Sequence, residues 1–200
     1  MEALVGPLVI VSAALVVAGI AKVRQPANTV AMFASVGLPR LPWLGRALGL
    51  VEIVAGVAAI ALRGGAALGV AVLYAAFALL MLRLVLLGDA APSCGCFGVR
   101  SARPSWVHVA ADAVAASVAA AAVATSAPAL ADVLADQPAL GLPYVAFLAI
   151  GTYAFVAVLT SLPDVFDAVR ATSSSEPAIS TFHLVPVRVE DPTRRVRPRD

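Results

Sequence analysis

The stretch Ala66-Ala-Leu-Gly-Val-Ala-Val-Leu-Tyr-Ala-Ala-Phe-Ala-Leu-Leu-Met-Leu-Arg-Leu-Val-Leu-Leu87 holds one charged side chain, Arg83, in twenty-two residues. At a rise of about 1.5 Å per residue, a helix of this length crosses the ~30 Å hydrocarbon core of a bilayer. Only a helix satisfies its own backbone there without water or a closed barrel. Four more apolar runs share this character: Leu4–Val23, about Ala47–Leu62 with a start as early as Leu41, Trp106 to about Leu130, and Pro143–Leu162. Charged residues make up 13% of the chain and hydrophobic ones 61%, with a mean hydropathy of +0.94. Soluble domains carry about 25% charge. The expected fold is all-α: a polytopic membrane helix bundle with a four-helix core plus a fifth span. Its spans are rich in Ala, Val, Leu and Gly, and small residues let helix backbones approach closely.

Between the runs lie the connections. Pro26 closes the first span after Lys22 and Arg24. Residues 27–46 hold Gly37, Pro39, Pro42 and Gly45 and read as a short interfacial segment with Trp43 at headgroup level. Arg63-Gly-Gly65 is a tight turn, and Asp132–Leu142 a polar connection. After Pro163 the composition turns to Ser, Pro, Arg and Glu, so the expected division is a membrane domain over 1–163 and a mostly disordered tail over 164–200. No phosphate-cradling or base-reading motif occurs, which excludes nucleic acid as a partner; the lipid bilayer is the expected surrounding.

The charges imply a sidedness. Lys22, Arg24, Arg40, Arg46, Arg100, Arg103 and Arg170 fall on one face with the loop over 88–105 and the tail. The other face has Arg63 beside Glu2, Asp132 and Asp136. The positive-inside rule then predicts a multi-pass protein of the cell membrane, with its N-terminus outside and that loop and the tail cytoplasmic.

An ionisable residue in a span needs a partner or a solvated cavity. Glu52, Arg83, His108 and Asp112 are the candidates, and all four are expected near the face that bears the loop. His108 and Asp112 lie four apart on one helix face. Arg83 is placed to pair with Glu52 or Asp112, and Lys22 joins the same charge cluster. Glu52 and His108 are candidates for proton handling. Structural pairing of Glu52, lipid-headgroup snorkelling of Arg83 and a merely interfacial His108 are the blander readings.

The loop contains both cysteines of the chain, in Cys94-Gly-Cys96. A disulfide across one glycine closes a small ring, and strained disulfides are oxidising and labile. Arg100, Arg103 and a protonated His108 favour a thiolate. The pattern points to thiol–disulfide exchange. Inert thiols and a metal site are the alternatives; the metal would need two further soft ligands, with His108 alone close by.

The string Cys94-Gly-Cys-Phe-Gly98 after the third span resembles the signature of the MauE family of methylamine-utilisation membrane proteins. Lys22-Val-Arg-Gln-Pro26 is similar to that family's basic, proline-closed end of the first helix. Glu52-Ile-Val-Ala-Gly56 is similar to the glutamate–glycine pattern of the wider DoxX-like group. The resemblance spans about residues 1–160. It implies a role in maturing a methylamine dehydrogenase-type client, with a thioredoxin-like partner and Cys94 and Cys96 as the exchanging pair. A secreted client implies a loop on the outer side, opposite to the side the arginines favour. No cofactor motif is evident, and a bilayer quinone is only a conceivable electron carrier. A non-catalytic assembly factor and a small-molecule transporter are the competing functions.

Overall fold

The computed structural model describes residues 2–87, 104–136 and 141–174. Among these, seven α-helices follow one another: α1 (Val5–Arg24), α2 (Ala27–Ser35), α3 (Pro42–Ala61), α4 (Ala67–Leu87), α5 (Trp106–Ala124), α6 (Leu130–Asp136) and α7 (Gly141–Ser174). Five are long and apolar enough to cross a membrane: α1, α3, α4 with the 3-10 turn before it, α5, and residues 141–162 of α7. The protein is a polytopic helical membrane bundle. Its outward faces are apolar, with Val54, Leu79, Phe147 and Ile150 all exposed, which suits lipid rather than water.

Burial assigns each span its place. α1 is 61% buried, α3, α4 and α5 between 28% and 33%, and α7 only 11%. α1 is therefore the axis of a four-helix core, and α7 lies against its outer side. Leu8, Val11 and Leu15 of α1 meet Val70, Tyr74 and Phe77 of α4 and the alanine stripe Ala115, Ala119 and Ala122 of α5. Met32 of α2 packs on Met81 and Leu84 at the far end of α4.

α1 and α3 run antiparallel at close range because glycines line the seam. A Cβ built on Gly19 would stand 2.5 Å from the Gly49 carbonyl oxygen, and one on Gly49 would stand 2.6 Å from that of Gly19. Gly56 meets the Ser12 backbone in the same way, at 2.6 Å. Such small-residue seams replace the hydrophobic drive that is missing between helices in lipid.

Several boundaries differ from the sequence reading. The second span begins at Pro42, at the earlier start near Leu41 rather than at Ala47, since a proline at the first helical position is preorganised for the turn. The first part of the expected interfacial segment forms the short helix α2, ended by Gly37 at φ +86, and its last residues, from Pro42, belong to α3. The fourth span stops at Ala124, and Ser126 then takes a positive φ of 49. Residues 130–136, expected to be partly polar connection, form α6. The helix of the fifth span continues through position 163 to Ser174, so the expected domain boundary falls inside α7. One proline removes a single backbone hydrogen bond and need not end a helix.

Candidate functional site

Lys22 and Glu52 form the centre of the site. Lys22 Nζ donates to Glu52 Oε2 at 2.9 Å and lies equally close, 2.9 Å, to Oε1. The Oε1 contact is electrostatic only, without hydrogen-bond alignment. Both side chains are sealed, at 1% and 0% exposure. The ammonium also stands 5.4 Å from the centroid of the Phe77 ring, within cation–π range.

Helix geometry explains why these two meet. Side chains tilt toward the N-terminus of their own helix. Lys22 is two residues from the end of α1, so its stem leans back into the bundle. Glu52 lies ten residues beyond Pro42, about 15 Å along α3, and leans back toward that same end. The antiparallel seam brings the two tilts together. Glu52 is thus deeper than a span beginning at Ala47 would have placed it.

Beside the pair lies a cavity of about 30 Å³, lined by Lys22, Tyr74, Phe77, His108 and Asp112 among smaller apolar residues of α1 and Leu159 of α7. His108 and Asp112 are 3% and 7% exposed. They enter the core within two turns of the start of α5, one turn apart on the face that meets α1 and α4. Ser105 Oγ and His108 Nδ1 are 3.0 Å apart, the donor depending on the imidazole tautomer. Tyr74 donates its hydroxyl to the Val11 carbonyl at 2.8 Å, tying α4 to α1.

Glu52, His108, Asp112 and Lys22 therefore gather in one region. Arg83 does not join them. It is exposed, because the buried stripe of α4 runs Val70, Tyr74, Phe77, Met81, Leu84 and leaves position 83 on the outer side. The partner of Glu52 is Lys22, which the sequence reading had counted chiefly as a flanking surface charge. Its signal was present: a lysine just inside the end of a helix that has a glycine seam. Arg63 and Asp132 make a second ion pair at 3.3 Å, but it is exposed and apart from this site. Cys94 and Cys96, with Arg100 and Arg103, lie outside the described residues.

A bundle built on one axial helix, with five helices long and apolar enough to cross a membrane and a sealed lysine–glutamate pair, marks a small multi-spanning membrane protein. The chain belongs to the MauE family: the family model described as methylamine utilisation protein MauE matches residues 3–127, which take in α1 to α5. No curated protein and no solved structure matches the chain.

Proposed function

We propose that this MauE-family membrane protein carries out thiol–disulfide exchange through Cys94 and Cys96, in support of the maturation of a disulfide-containing client. In that role a client thiolate attacks the Cys94–Cys96 disulfide. This forms a mixed disulfide and releases the other cysteine as a thiolate. A second client thiolate then attacks the mixed disulfide, leaving the client oxidised and this chain as a dithiol after proton uptake. Two electrons have moved from the client to the protein. A thioredoxin-like disulfide or a bilayer quinone is the class of acceptor that would restore the pair.

The supporting observation is the placement of titratable groups. The loop over 88–103 is anchored at one end by α4 and at the other by the start of α5, where Ser105, His108 and Asp112 lead into the buried cluster. Exchange consumes and releases protons, and a group of this kind next to the loop can supply them. The family description, methylamine utilisation protein MauE, supports methylamine metabolism as the setting; the client proposed within it is a methylamine dehydrogenase-type enzyme.

The decisive experiment replaces Cys94 and Cys96 with serine, singly and together, and follows client disulfide formation. Each single variant lacks the disulfide that the client attacks, so client oxidation should stop, and its remaining thiolate should be trapped as a reductant-sensitive mixed disulfide with a thioredoxin-like disulfide acceptor. Unimpaired maturation by the double variant would leave the assembly-factor reading instead.

A further inference from the structure

α7 runs parallel to α1: Tyr144 stands at Gly6, and a Cβ built on Gly151 would come 2.6 Å from Ile10. That close contact pins the two helices together. Nearer Arg24 the facing residues include Ala21 and Ala157, whose short side chains leave a groove of about 290 Å³. Val17 joins Ala21 on the α1 wall, and Tyr153, Thr160 and Ser161 join Ala157 on the α7 wall. Val17, Tyr153 and Ser161 are exposed, so the groove opens outward, toward lipid.

Water is a poor filling. Thr160 already donates its hydroxyl to the Val156 carbonyl at 3.0 Å, and Val17, Ala21 and Ala157 offer a water nothing. An empty groove forfeits dispersion contacts along its walls. Its volume is roughly ten times the ~30 Å³ share of one water in the liquid. A methylene group takes comparable room, so a length of acyl chain fits.

The cation at the mouth selects the headgroup. Val17, Ala21 and Arg24 fall at i, i+4 and i+7, on one face of α1. Arg24 is exposed, and the ion pairs among the described residues join other side chains, Lys22 to Glu52 and Arg63 to Asp132. Val17 lies about 10 Å below Arg24, against ~15 Å for half a hydrocarbon core, so the groove occupies one leaflet. The Gly19–Gly49 contact fixes the height of Arg24: along the antiparallel pair it stands level with Trp43 to within about 2 Å. Trp43 is exposed, and such tryptophans sit at headgroup level. The guanidinium fork suits a phosphate there.

We propose that this groove holds one anionic phospholipid of the surrounding bilayer, with an acyl chain between α1 and α7 and its phosphate paired with Arg24. The site makes no use of the cysteines, so its failure leaves the exchange reading untouched.

The full-length protein in detergent is equilibrated with equal amounts of phosphatidylglycerol and phosphatidylcholine, and the retained lipid is read by native mass spectrometry. One molecule should be held, at least about fivefold in favour of phosphatidylglycerol, the weight of one basic residue at an anionic surface. Arg24→Gln should erase the preference. Arg40→Gln removes another exposed arginine from the same end of the bundle and should leave it intact. Val17→Phe and Ala157→Phe fill the groove from opposite walls and should each reduce retention of both lipids, with helical circular dichroism kept. Equal retention of the two lipids by the parent protein, equal effects of Arg24→Gln and Arg40→Gln, or undiminished retention in both phenylalanine variants overturns the site. Displacement of the phospholipid by an equal concentration of an isoprenoid quinone also overturns it and assigns the groove to that tail.

Discussion

Replacing Lys22 with methionine should be one of the most damaging single changes available in the described bundle. The variant keeps the length and the apolar stem but leaves Glu52 fully buried, at 0% exposure, without its cation. Breaking a buried pair in this way costs about 3–5 kcal/mol, or roughly two to four orders of magnitude in the folding equilibrium. Glu52→Gln should cost less than Lys22→Met. It leaves an isosteric amide that can still accept from Nζ, whereas methionine leaves the sealed Glu52 carboxyl group without its cation. Lys22→Met combined with Glu52→Leu removes both charges and should recover most of the loss, because two apolar groups of similar volume suit this interior. The assay is reversible unfolding in mixed micelles, followed by far-UV circular dichroism and read as a double-mutant cycle. Strictly additive losses, with a coupling energy below about 0.5 kcal/mol, would refute the pair as the element joining α1 to α3.

Gly19→Ala should destabilise by about 1–3 kcal/mol in the same assay, since its methyl would meet the Gly49 carbonyl at 2.5 Å, while Gly65→Ala, with nothing within 4 Å, should be close to neutral. Arg83→Gln should change stability by less than about 0.5 kcal/mol, because the side chain faces outward; a loss comparable to that of Glu52→Gln would return it to the cluster. Tyr74→Phe should cost about 0.5–1.5 kcal/mol through the lost 2.8 Å bond to Val11, with the fold retained. A membrane-impermeant maleimide applied to intact cells after reduction should fail to label Cys94 if the arginine bias sets the orientation, and prompt labelling would reverse it.

Much of this architecture was legible because lipid imposes simple rules. Runs such as 66–87 and 143–162 have the length and composition of spans, and those apolar stretches were located to within a few residues. Glu52 announced a partner because a carboxylate among Leu, Val and Ile has no other way to remain there. The identity of that partner was hidden by the assumption that a lysine at a span end faces water. Lys22 looks like a flanking charge until the backward tilt of helical side chains is combined with the Gly19–Gly49 seam, which only packing reveals. Removing Lys22 from the surface count leaves the arginines to carry the charge asymmetry. Arg83 was misjudged because depth along a span was weighed without rotation about its axis. The extent of α7 past Pro163 was missed for the reverse reason: local composition changed there, but the helical hydrogen-bond ladder did not stop.

The fifth span also has a consequence for parity. The MauE match ends at residue 127, before α7 begins. Four crossings would return the polypeptide to the compartment where it started, and a fifth, for which residues 141–162 are long and apolar enough, is expected to send it to the opposite one. Beyond residue 162 the rod continues for twelve residues, about 18 Å past the end of the span. A fluorescent or enzymatic reporter fused after Asp200 is therefore expected in the same compartment as Cys94 and Cys96, and finding the two on opposite sides would refute five crossings.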